Sequence, residues 1–227
     1  MCDKYFGAAP GQRAICPIDS MMTHNHTRAE HIAGHDSVSD LDELDLEPNA
    51  VGGDVGHRTL WLNEPVSPAT TQRLIEALLR FESDAPGTPI HLYVYTPGGC
   101  VVSGLAITDT MRHISSPVFT YALGFAASMG AVILAAGQKG HRYILPNSFV
   151  MIHQASGNAG GTMENLRATL AFQTKLEDEV DNLLARCTGR TTEEIREASR
   201  VDNWMAARQA QAFGLVDHIL DRHPDKN

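Results

Sequence analysis

Ser128 lies in Gly124-Phe125-Ala126-Ala127-Ser128-Met129-Gly130-Ala131, one hydroxyl among glycines and alanines. Such small neighbours permit a sharp turn from strand to helix and leave room beside the side chain for a substrate carbonyl. They also bring local amides toward the first turn of a helix, where unpaired N–H groups favour negative charge. A serine so placed can equally cap or pack a helix, and the local sequence leaves both roles open. His153 ends the run Val150-Met151-Ile152-His153-Gln154. After three apolar residues an imidazole can be a satisfied core group. If its strand ends beside the helix that begins near Ser128, it can instead take the hydroxyl proton. Asp202, in Val201-Asp202-Asn203-Trp204-Met205, looks on its own like a helix cap. It becomes a candidate orienting acid because a Ser–His pair needs one. Gly98 and Gly99 follow a strand, and a glycine pair lets backbone amides approach a ligand unobstructed. An oxyanion on an attacked carbonyl needs two donors, and the amides of Gly99 and Met129 are the natural choice. The order Ser, His, Asp and the lack of G-x-S-x-G separate this set from the α/β-hydrolases. A phosphate cradle at Pro97-Gly98-Gly99 is the weaker reading, because neither G-x-x-x-x-G-K-[ST] nor G-x-G-x-x-G follows it.

The elements that must position these groups can be read from hydropathy. Thr59 to Leu62 is a strand candidate. Ser67 and Pro68 open a helix to Phe81, with Leu74, Ile75, Leu78 and Leu79 on one side. Ile90 to Tyr95 alternates apolar and polar and reads as a strand. Past the glycine turn, a helix runs from about Val102 to His113, then a strand from Val118 to Ala122, then a helix starting close to Ser128. Tyr143 to Leu145 and Phe149 to Ile152 are short strands. This alternation predicts a layered α/β domain with parallel pairing. Met163 to Cys187 is one long amphipathic helix with apolar residues at 163, 166, 170, 176, 180, 183, 184 and 187. At about 1.5 Å per residue it reaches nearly 38 Å and would project beyond its own domain, the first indication of an oligomer. Helices at Thr192 to Ser199 and Ala206 to Phe213 follow.

Composition narrows the classes. The 227 residues, 43% of them hydrophobic, suit one catalytic domain, expected over residues 57–220 with the long helix at about 162–187 and a polar tail at 221–227. Residues 1–56 form a separate acidic region, with seven acids and no Lys or Arg between Asp36 and Asp54, which is expected to be mobile in a lone subunit. Its histidines His24, His26, His31 and His35 lack a completing Cys or carboxylate cluster, so a polar tail is preferred to a metal site. The formal charge of −9 argues against a nucleic-acid partner. Cys2, Cys16, Cys100 and Cys187 form no CxxC pair, the pattern of a reducing compartment, and a cytoplasmic location is expected. The first thirty residues have no continuous apolar core, so no secretory signal is expected. The apolar stretch from Val118 to Ala136 is broken by Thr120, Ser128 and glycines, so buried protein rather than a membrane span is expected.

Taken together, these segments resemble the proteolytic subunit family of the Clp (caseinolytic) protease. Leu92-Tyr93-Val94-Tyr95-Thr96-Pro97-Gly98-Gly99 is similar to its strand and glycine turn, with Thr96 where a serine is usual. The Ser128 segment is similar to its nucleophile segment, and Leu145-Pro146-Asn147-Ser148 with Met151-Ile152-His153-Gln154 to the segment that carries its base. Asp202 falls where the family has its acid, and Ala212-Phe213-Gly214-Leu215-Val216-Asp217 resembles its closing motif. The match spans about Arg58 to Leu220 in the family's order. The resemblance implies a serine endopeptidase with Ser128 as nucleophile, His153 as base, Asp202 as acid, and Gly99 and Met129 as oxyanion donors. It implies a crotonase-like α/β fold of repeated β-β-α units with the long helix as a projecting handle. It further implies two stacked heptameric rings, unfolded polypeptide substrates threaded by an AAA+ unfoldase that uses the ATP, and no cofactor in this subunit. Two segments depart from the family. The acidic stretch Asp36 to Asp54 stands where a pore-lining arm is usual, and Gly157-Asn158-Ala159-Gly160-Gly161 lacks the arginine often used between rings. Two other readings fit less well, and a third is not separated by the sequence. A catalytically silent ring subunit typically lacks a triad residue, and a crotonase-fold acyl-CoA enzyme leaves the three residues unexplained. A divergent phage-type protease with a specific target shares the chemistry and differs in biology.

Overall fold

The computed structural model describes residues 58–157 and 160–220, so the expected amino-terminal region, its histidines and the carboxy-terminal tail lie outside the described residues. The first strand, β1 (Thr59–Leu62), leads into α1 (Pro68–Asp84), whose start is set by Ser67. Its hydroxyl accepts a bond from the Thr70 amide at 3.2 Å, and Pro68 supplies the first-turn φ. Leu74 and Leu78 are buried on this helix whereas Leu79, expected on the same side, is 48% exposed. Successive elements are β2 (Ile90–Thr96), α2 (Val101–His113), β3 (Val118–Ala127), α3 (Met129–Ala135), β4 (Arg142–Ile144) and β5 (Phe149–Ile152). The chain continues through α4 (Met163–Thr188), α5 (Thr192–Ser199), β6 (Asn203–Ala206), α6 (Ala207–Phe213) and β7 (His218–Ile219).

The molecule is a mixed α/β structure on one sheet, ordered β1-β2-β3-β4-β7, with β5 added to β3 and β6 to β5. Every pairing is parallel except β5 with β6. β3 reaches Ala127, five residues beyond the expected end at Ala122, because its two halves serve different partners. Thr120 to Ala122 pair with β4, and Phe125 to Ala127 pair with β5. The strands β6 and β7 were not expected. Each is short, four and two residues, and too brief to show a period of its own.

The core is built on the face of β2 that carries Ile90, Leu92 and Val94, all fully buried, with Leu62, Leu78, Ile107, Ile133 and Leu134 packed around them. The opposite face carries a row of stacked rings across the sheet. Trp61, Tyr93, Tyr121, Tyr143 and His218 follow one another at centroid separations of 4.7, 4.7, 4.9 and 5.5 Å. Burial pushes the Tyr121 phenol up to about 12, and the neighbouring Tyr93 and Tyr143 act in the same direction.

The long helix α4 is capped by the Thr162 hydroxyl, which accepts from the Asn165 amide at 3.3 Å, and it ends at Gly189. Only Asp181, Leu183 and Leu184 are buried along it, while Met163, Leu170 and Phe172 are exposed. Among the described residues, burial thus reaches only the carboxy-terminal part of the expected apolar stripe. Two long-range ties hold the periphery. Arg142, 2% exposed, bonds Asp217 through Nε at 2.9 Å and Nη2 at 2.6 Å and also donates to the Ala135 and Cys187 carbonyls. Burial alone would push the Asp217 carboxyl up, but the Arg142 bonds and charge, with the Arg142 and Gly140 amides, hold it below its ordinary value. Glu82, near the end of α1, accepts from the Ser115 and Ser116 amides at 3.0 and 2.9 Å and fastens the approach to β3. Among the described residues no helix is long and apolar enough to cross a membrane.

Candidate active site

Ser128 stands between the end of β3 and the start of α3 with φ 54° and ψ −124°. It is the one residue other than glycine with positive φ among the described residues, a conformation that costs of order 1–3 kcal/mol and persists only where the surroundings impose it. The surroundings are explicit. The Ser128 amide donates to the Met151 carbonyl of β5 at 2.8 Å, and its carbonyl accepts from the Ala131 and Val132 amides in the first turn of α3. Its hydroxyl makes no capping bond to that helix, which removes the helix-cap role. The Oγ instead lies 2.9 Å from His153 Nε2.

Strand register explains how His153 arrives there. Ala127 pairs with Met151 across β3 and β5, so the residue two beyond Met151 leaves the sheet alongside Ser128. The Gln154 amide, bonded to the Ser199 carbonyl at 2.8 Å, holds the chain just past the imidazole. Asp202 is brought in by the antiparallel pair. Ile152 faces Asn203 across β5 and β6, so the residues just outside that pair, His153 and Asp202, are opposite each other. Asp202 Oδ1 lies 3.1 Å from His153 Nδ1. The helix-cap expectation for Asp202 is therefore corrected, since the aspartate precedes a strand, and β6 is the element whose absence from the sequence reading hid its position. The imidazole is partly covered and the Asp202 carboxylate about half open to solvent, with 27% and 48% of the side chains exposed.

The glycine turn closes the site from the other side. Gly98 has φ +91°, and a Cβ there would stand 2.6 Å from both the Ala127 carbonyl oxygen and the Ser128 Cβ. Gly99 has φ +147°, and a Cβ there would collide with the Val66 carbonyl. Glycine is required at both positions by strain and by space. Val66 forms a parallel bridge to this turn. Its amide donates to the Gly98 carbonyl and its carbonyl accepts from the Cys100 amide, each at 2.8 Å. In such a bridge the middle residue's amide points away from the partner strand, so the Gly99 N–H is turned out of the ladder. The Met129 amide, first in α3, has no carbonyl one turn back to bond. Both expected donors are thus placed beside Ser128 with their N–H groups uncommitted to the helix or the bridge.

Two supporting residues were not singled out as functional by the sequence reading. Thr96, fully buried, donates from Oγ1 to the Glu64 carbonyl at 2.6 Å and accepts from the Gly98 amide at 3.2 Å. Its hydroxyl does for the turn what a serine could, which accounts for the family departure noted at this position. Glu177, on the long helix, lines the cleft that also contains Gly99, Ser128, Met129 and His153. The only available signal for Glu177 was its place in an amphipathic helix, which does not reveal what lies opposite. Among the described residues no group of three or more His, Cys, Asp or Glu side chains is arranged to hold a metal. The family model for Clp protease matches residues 51–223, more than half of the chain. The chain belongs to the Clp protease family.

Proposed function

We propose that this protein is a serine endopeptidase in which Ser128 is the nucleophile, His153 the general base and Asp202 the acid that orients it. The observation that carries the reading is the continuous chain from Ser128 Oγ to His153 Nε2 at 2.9 Å and from His153 Nδ1 to Asp202 Oδ1 at 3.1 Å, on a serine held at positive φ. With Nδ1 carrying its proton toward Asp202, Nε2 is free to accept the hydroxyl proton. The Ser128 oxygen adds to the peptide carbonyl, and the resulting oxyanion is held by the Gly99 and Met129 amides. The imidazolium then protonates the leaving amine as the C–N bond breaks. A water molecule, deprotonated by the same imidazole, cleaves the acyl-enzyme, and the serine recovers its proton.

The family supports the wider reading. In it the fold is the crotonase-like one of repeated β-β-α units, α4 is the projecting handle, and two stacked heptameric rings enclose the sites. An AAA+ unfoldase spends the ATP and delivers unfolded polypeptides in the cytoplasm, and this subunit needs no cofactor. The exposed Met163, Leu170 and Phe172 on α4 suit burial between subunits, and the ring-lined sheet face with Trp61 at 38% exposure suits a further contact. Hydrolysis of an unfolded reporter polypeptide by wild type and Ser128→Ala tests the proposal. The variant should lose on the order of a millionfold in kcat while keeping its sedimentation profile. Activity within tenfold of wild type would remove Ser128 from the mechanism.

A further inference from the structure

The cleft beside Ser128 has two kinds of wall. Met129, Val132, Ile152 and Leu184 make an apolar lining, and Glu177 and Asp181 of α4 place two carboxylates one helical turn apart against it. These acids are not equivalent. Asp181 is 5% exposed, and its Oδ2 accepts from Arg196 Nε at 3.0 Å. Arg196 also bonds Asp178 Oδ1 at 2.7 Å, so a single guanidinium serves two carboxylates. Glu177 is half-buried and has no ion pair among the described residues. Glu177 and Asp181 share the cleft wall with polar Gln154 and Ser156, and Asp178 lies off it. Among the described residues Arg196 is the one cation paired with any of these acids, so Glu177 stands in the cleft as an unneutralised carboxylate. The Asp181 carboxyl reflects this. Burial raises it above the ordinary value, the Arg196 bond and charge oppose the rise, and Glu177 and Asp178 add to it.

We propose that Glu177 sets the specificity of this cleft toward a substrate residue with a hydrocarbon stem and a cationic tip, lysine or arginine, at the carbonyl that Ser128 attacks. Such a side chain lays its methylenes on apolar surface while its charged end seeks a partner, which is the combination the two walls present. A purely aliphatic residue would fill the same space and leave the Glu177 carboxylate partly desolvated and unpaired. A charge-assisted bond at a half-buried site should favour the cationic residue by about tenfold or more. The inference rests on the peptidase reading.

Two peptidyl diphenyl phosphonates that differ only at the residue bearing the phosphonate, lysine-like against norleucine-like, test it. The second-order rate of labelling at Ser128 is measured by intact-protein mass spectrometry for wild type and Glu177→Gln. The lysine-like probe should react about tenfold faster or more with wild type, and the Glu177→Gln substitution should reduce that ratio to near one. Equal rates with wild type, a faster norleucine-like probe, or a ratio unmoved by Glu177→Gln would overturn the inference while leaving the peptidase reading intact. No labelling of Ser128 by either probe would remove the peptidase reading, and the inference with it.

Discussion

At the scale of single residues, the site depends on a serine whose hydroxyl is taken out of local service. A serine just before a helix ordinarily bonds an amide of the first turn. Here the positive φ of Ser128 turns the side chain away from α3 toward His153, while the amide is held by Met151. The Met151 bond ties this conformation to β5, and Gly98, lacking a Cβ, leaves the space that the Ser128 side chain occupies. Asp202 contributes one bond, at 3.1 Å, to the far nitrogen of the imidazole. Asp202→Asn preserves the volume and removes the charge, so the imidazole loses both its preferred tautomer and its stabilising anion. We expect kcat/KM for a peptide substrate to fall by about 10⁴ with the melting temperature nearly unchanged. Wild-type kinetics in that variant would assign the orientation of His153 to another group.

At the scale of elements, the strands do the positioning. β3 carries Ser128 at its end, β5 runs parallel to the second half of β3 and delivers His153, and β6 returns antiparallel to deliver Asp202. The first two strands were visible in the sequence because Val118 to Ala122 and Phe149 to Ile152 are apolar runs bounded by turn residues. β6 was not, because Asn203-Trp204-Met205-Ala206 is short and is followed directly by a helix, so its four residues merge with the helical pattern. Asp202 was therefore legible by its place in a family motif and illegible in its local structure. The ends of β3 were similarly hidden, since Gly124 looks like a turn and is in fact passed within the strand. The approach to β3 yields a pH prediction. The Glu82 carboxyl is lowered to about 2, chiefly by bonds from Ser115 and then Ser116. A folded-state value below the unfolded one means that the unfolded chain binds the proton first as pH falls. The contribution of Glu82 is complete above the unfolded value of 4.5 and is lost progressively toward pH 2. Thermal melts of wild type and Glu82→Gln should differ most near pH 6 and converge as the pH approaches 2. A difference that stayed constant from pH 6 to pH 2 would contradict the capping role.

At the scale of the whole molecule, the fold leaves apolar side chains open at several places, among them Met163, Leu170 and Phe172 on the amino-terminal part of α4 and Trp61 on the ring-lined sheet face. Of the eight apolar positions expected along the helix, Leu183 and Leu184 are buried by the chain itself, whereas Met163 and Leu170 are more than half exposed. Periodicity revealed the stripe and could not reveal which part the subunit covers, because that depends on where the helix leaves its own core. Burying a large apolar side chain is worth roughly 1.5–3 kcal/mol, so a few such contacts can support association. Replacing Leu170 and Phe172 together with Glu should yield smaller species in sedimentation velocity, with a circular dichroism spectrum like that of wild type. An unchanged sedimentation coefficient would place the subunit contacts elsewhere. The claim on which all of this turns is that the hydroxyl of Ser128 is an activated nucleophile, and reaction with a serine-directed fluorophosphonate, read by intact-protein and peptide mass spectrometry, tests it most directly. The account predicts one adduct per chain, mapped to Ser128, absent from Ser128→Ala and greatly slowed in His153→Ala; no adduct, or one on another residue, would contradict it.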